Sequence, residues 1–124
     1  MAGEYINDEV FDQGLDYADT NGTRIDITSQ VATTYAEATS TYTLGNKTGL
    51  NTGATEAGDT DGRKVVVPAI ADGSVTGTDT ATHWALTDGS SILVATGPLT
   101  ASQGVTSGNT FTLDAIDITI RDAA

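Results

Sequence analysis

The chain has 124 residues and a net charge of −12, with 17 acidic against 5 basic side chains, a length that suits one domain with one core. Acidity on this scale argues against nucleic acid and anionic membrane surfaces as partners, because both are bound through Lys and Arg. With no Cys, neither a disulfide framework nor a thiolate metal site is available.

Thr is the commonest residue, at 23 copies, and there are 14 Gly. β-Branched Thr fits a pleated surface and Gly serves turns, so the composition favours strands. Residues 1–20 read as an N-terminal arm or short helix. Asn7 or Asp8 could cap such a helix, but Gly14 and sparse apolar positions make it marginal. Asn21-Gly22 is a turn signal, and Ile25 and Ile27 then alternate with polar residues, as in a half-exposed strand. Thr34-Tyr35-Ala36-Glu37 matches a capping box opening a single helical turn.

Residues 45–62 hold almost no large apolar side chain and read as a long Gly/Thr-rich loop. Arg63 to Ile70 forms a strong strand signal in which Pro68 marks an edge, a bulge or the strand's end. Asp72-Gly73 reads as a turn into a weak strand. The longest strand-forming run lies at 80–96 and contains the only Trp and the only His. There Asp88-Gly89 separates two arms, the strongest short-range hairpin signal. Gly97-Pro98 reads as the break after it. Phe111 and Leu113, then Ile116, Ile118 and Ile120, run in period two, with the phase broken between Leu113 and Ile116 as at a bulge or kink.

Six or seven mostly antiparallel strands with frequent turn signals predict an all-β fold, a sandwich or jelly-roll-like domain over 21–124. The period-two runs place Trp84, Leu86, Val66, Ile92, Val94, Phe111, Leu113 and Ile118 in its core. No apolar stretch approaches the length of a membrane span, and the N-terminus lacks the basic-then-apolar pattern of a signal peptide. The expectation is a soluble protein made in a cytoplasm.

Chemistry-bearing patterns are sparse. His83, in a strand beside Trp84, reads as structural. No Ser sits in a Gly-x-Ser-x-Gly setting, and no phosphate-binding Gly loop occurs. Asp59-Thr60-Asp61-Gly62 resembles the start of a calcium loop but lacks its later ligands, so it reads as an acidic turn. No catalytic, cofactor-binding or metal-binding residue is assigned, no cofactor is expected, and the chain is expected not to be an enzyme.

The stretches Ala81-Thr82-His83-Trp84-Ala85-Leu86 and Val105-Thr106-Ser107-Gly108-Asn109-Thr110-Phe111-Thr112-Leu113 resemble a group of small tailed-bacteriophage proteins. So do Thr34-Tyr35-Ala36-Glu37-Ala38-Thr39-Ser40-Thr41-Tyr42-Thr43-Leu44-Gly45 and Gly62-Arg63-Lys64-Val65. The likeness spans about Ile6 to Ile120 and is structural rather than chemical. In size and acidic, Thr/Gly-rich character the chain is similar to capsid decoration (cement) proteins. The resemblance implies a virion structural protein on the capsid exterior, with the major capsid protein as partner and a homo-oligomer, a trimer by preference. The apolar Tyr5, Ile6, Val10 and Phe11 precede the first clear strand and are the expected interface. The alternative is a tail or fibre component, or a receptor- or carbohydrate-binding module with aromatics in a groove.

Overall fold

The computed structural model describes residues 8–50, 55–57 and 62–120. A helix, α1 (Asp8–Asn21), precedes nine strands: β1 (Arg24–Thr28), β2 (Thr43–Lys47), β3 (Glu56–Ala57), β4 (Arg63–Val67), β5 (Ile70–Val75), β6 (Asp79–Thr87), β7 (Leu93–Val105), β8 (Thr110–Leu113) and β9 (Ile116–Ile120). They form a curled six-stranded sheet in the order β7-β6-β1-β2-β5-β8 and a three-stranded sheet in the order β3-β4-β9. Every pairing is antiparallel, as the sandwich expectation required. The count exceeds six or seven because β2 has too short an apolar run to read as a strand and β3 spans only two residues.

Two corners link the sheets. β4 ends at Val67 and β5 starts at Ile70, so Pro68 lies at a strand's end. β8 likewise ends at Leu113 and β9 starts at Ile116. Since β4 pairs with β9 and β5 with β8, the four strands form one antiparallel ribbon bent across both sheets. The broken phase at Asp114-Ala115 is therefore a change of sheet. An odd spacing keeps both Leu113 and Ile116 facing inward after the bend.

The core gathers Ile25, Ile27, Val67, Trp84, Leu86, Phe111 and their neighbours. Four expected core positions need correction. Ile92 is 43% exposed because it closes the β6–β7 turn instead of opening β7. Val66 is half-buried beside Lys64, while Val65 and Val67 are fully buried on the opposite face. A run of three valines has no alternation from which to choose that face. Val94 and Ile118 are half-buried, packed between the main core and the α1 cluster.

Further local expectations change for identifiable reasons. The helix runs 14 residues because Leu15 and Ala18 find Val65 to bury against. It stops at Gly22, whose N–H donates to the Ala18 carbonyl at 2.7 Å. A side chain at Gly22 would come within 2.8 Å of Leu86 Cδ2. β1 is central rather than half-exposed, with residues 29–42 covering its second face through Ala32 and Ala38. In that strap Thr34 Oγ1 accepts the Glu37 N–H at 3.1 Å, as a capping box predicts. Glu37 reaches back one residue further than expected, to the Thr33 N–H and hydroxyl, both at 2.9 Å. A π-helical turn over Glu37–Thr41 completes the strap.

Asp72-Gly73 lies within β5 at a bulge and is not a turn. Gly73 pairs with Phe111, and a side chain there would run into the Phe111 ring. An aromatic laid over a cross-strand glycine fills the space that the missing side chain leaves. Gly73→Ala should cost about 1–3 kcal/mol by overpacking. Gly104→Ala, with no atom within 4 Å, should be close to neutral. Chemical denaturation of the two variants measures the contrast, and equal effects would remove the packing argument.

The β6–β7 turn is organised by Asp88. Its Oδ1 accepts the N–H groups of Ser90, Ser91 and Ile92 at 2.9, 2.8 and 2.9 Å, while Gly89 takes a φ of +77°. These bonds, Ile92's foremost, hold the Asp88 carboxyl below its usual range. A lowered folded-state pKa gives stability that is fully present above the unfolded value, about 3.9, and is lost as pH falls through the folded one. Asp88→Asn should therefore flatten the acid limb of stability below about pH 4, followed by urea unfolding across pH. Glu37, lowered chiefly by the Thr33 N–H, would supply part of the slope that remains.

Candidate binding pocket

The six-stranded sheet curls until its two edge strands approach each other without pairing. β7 passes into β8 through a turn at 106–109, where Gly108 has a φ of +93° and the Asn109 N–H returns to the Thr106 carbonyl. Across the seam, Gln103 Nε2 donates to the Thr112 carbonyl at 2.8 Å. Beside this bond lies a pocket of about 250 Å³.

Two irregularities shape it. Ala81 pairs with Gln103 and His83 with Pro98, so the single residue Thr82 of β6 faces four residues, 99–102, of β7. Residues 99–102 consequently bulge outward and make one wall. The opposite wall is the corner where β8 leaves one sheet and β9 joins the other, with Thr112, Asp114 and Ile116. Gly97-Pro98 does not break the strand, contrary to the sequence expectation. Pro98 is tolerated because β7 is an edge strand. Gly97 is required because a Cβ there would stand 2.8–2.9 Å from the Trp84 indole.

Trp84 lines the pocket and is 9% exposed overall. Its indole N–H donates to no acceptor among the described residues. No side-chain nitrogen or oxygen there is both buried and without a partner, so this N–H is accessible. None of the four cations among the described residues lines the pocket. Gln103 donates one amide N–H to Thr112 and leaves its second N–H as a donor and Oε1 as an acceptor. The site thus offers an indole donor, hydroxyls from Thr100 and Thr112, and acceptors from Gln103 and Asp114, around the apolar Leu99 and Ile116.

Elsewhere, cations are used within the chain. Arg24 binds Asp26, Lys47 binds Asp72 at 3.0 Å, and Lys64 binds Glu56 at 3.6 Å and Asp117 at 3.2 Å. Among the described residues, the exposed large apolar side chains are Tyr17, Val31 and Ile92. Of the expected interface, Tyr5 and Ile6 lie outside the described residues, and Val10 and Phe11 fall in the helical backbone of α1. Asp59 and Asp61 also lie outside them, and no metal-ligating cluster occurs among the described residues. His83 sits half-buried in β6 with Nδ1 2.8 Å from Thr82 Oγ1. No helix among those residues is long and apolar enough to cross a membrane.

Sequence reasoning missed Gln103 and Asp114. The one signal was the odd spacing between Leu113 and Ile116, which marks the corner without showing that a pocket lies beside it. No family model, curated protein or solved structure matches this chain, so its function rests on the geometry just described.

Proposed function

We propose that the chain is a non-enzymatic structural protein of a tailed-phage virion, decorating and stabilising the icosahedral capsid. The stretches that resemble such proteins supply Ala38, Leu44, Val65, Trp84, Leu86, Val105, Phe111 and Leu113, all buried. The likeness therefore falls on side chains that specify the fold. The observation that carries the reading is the outer edge of β9, which pairs with β4 on one side and with no strand among the described residues on the other. An open edge accepts an extended segment of another protein through main-chain hydrogen bonds. The partner in this reading is the major capsid protein. The protein acts as a homo-oligomer, a trimer by preference, with the N-terminal segment of Tyr5, Ile6, Val10 and Phe11 reaching its neighbour or the shell.

Attachment rests on apolar and backbone contacts, because Arg24, Lys47 and Lys64 already hold carboxylates of the same chain. Cryo-electron microscopy of heads with and without the added protein tests the proposal. Density on the shell exterior is expected, and a tail location or no binding overturns it. Occupancy should hold as salt rises beyond about 0.1 M, where charges are screened over about 10 Å. Loss of occupancy over that range would replace the apolar dock with an ionic one.

A further inference from the structure

The seam pocket differs from the rest of the surface in combining an accessible indole N–H with a polar rim and an apolar wall. We infer that it binds one ring of a neutral sugar. The inference stands apart from the capsid reading, since it concerns the isolated protein.

Three features select this ligand class. The pocket, at about 250 Å³, lies below the range of roughly 300–1,000 Å³ for drug-sized ligands, so it suits a single ring. The lining residues carry both donors and acceptors: the Trp84 N–H, the Thr100 hydroxyl, Gln103 Oε1 and the Asp114 carboxylate. Vicinal hydroxyls both donate and accept, and they match such a rim, while the C–H face of the ring packs on Leu99 and the indole. Charge completes the argument. No cation among the described residues lines the pocket and the protein carries −12, so phosphorylated sugars and sugar acids are repelled.

The bulge at 99–102 has a purpose in this reading. It displaces β7 from its partner by three extra residues and so holds open a space that regular pairing with β6 would close. Gly97 belongs to the same construction, because it lets the indole lie on the strand with its N–H free.

Trp84 is the only tryptophan, so its emission reports on the pocket directly. The full chain is titrated with methyl α-glucoside, methyl β-galactoside, methyl α-mannoside and N-acetylglucosamine, and ligand-observed NMR detects any binding silent in fluorescence. At least one sugar should bind saturably with a Kd of about 1–10 mM, as expected for a ligand of this size. Asp114→Ala should weaken it about tenfold and Thr100→Ala a few-fold. Both positions are exposed, so the fold, followed by circular dichroism, should be unchanged. No saturable binding by either method up to about 100 mM overturns the inference, as does binding unaffected by both substitutions. Tetramethylammonium binding in place of any sugar would also overturn it, by making the pocket a cation site built on Trp84 and Asp114.

Discussion

Trp84→Ala should destabilise the protein by about 3–5 kcal/mol, the range for large aromatic truncations in cores. Trp84 is the largest side chain in the core cluster, pairing with Ile27 across β1 and with Gly97 across β7. Removing it leaves Gly97 opposite an alanine, so two adjacent positions lose their filling together. The neighbouring pocket admits water to part of the vacated space, which favours the lower end of the range. The melting temperature should fall by roughly 10 °C or more, with the urea midpoint falling in proportion at unchanged slope. Trp84→Phe, which keeps a ring over Gly97, should recover a good part of the loss. A cost below about 1 kcal/mol for the alanine variant would mean that the indole is held at the surface rather than in the core.

What could be read beforehand followed from local pattern. The alternation of Trp84 with Leu86 and of Phe111 with Leu113 placed four core residues correctly, because a strand facing one core has one way to satisfy period two. Asn21-Gly22 and the capping box were likewise local signals with local causes. The failures came from tertiary context. Val65-Val66-Val67 carries no phase, and the packing of Val65 on α1 and of Val67 in the main core decides which valine turns outward. β1 reads as half-exposed because Arg24, Asp26 and Thr28 are polar, yet Asp26 and Thr28 are completely buried. The pocket was the least visible feature. It needs Gln103 of β7 and the Asp114 corner that follows β8 to line one space, and the curl of six strands brings the edge strands β7 and β8 together.

The buried Asp26 should make Arg24→Met costly, by about 3 kcal/mol. Arg24 and Asp26 lie two apart on β1 and share the face covered by the strap at 29–42. Arg24 Nε donates to Asp26 Oδ1 at 2.8 Å and Nη2 to Oδ2 at 3.0 Å, a bidentate pair. The Thr43 hydroxyl also donates to Oδ2, at 2.6 Å. Hydrogen bonding to Asp26 is the main cause that raises the guanidinium pKa above its already high ordinary value. The two members are unequally buried, with Asp26 at 0% side-chain exposure and Arg24 at 23%. Loss of Arg24 strands a carboxylate in the interior, whereas loss of Asp26 lets the guanidinium turn to water. Asp26→Ala should accordingly cost less, about 1–2 kcal/mol, since Thr43 Oγ1 also lies 3.2 Å from the Gly45 carbonyl and can donate there. The double variant R24M/D26A, carrying no stranded charge, should be about 1 kcal/mol more stable than R24M alone. Urea unfolding of the four proteins closes the cycle. Single-variant costs that simply add in the double variant would show that the pair contributes no coupled stability, and that packing under the strap alone holds this face of β1.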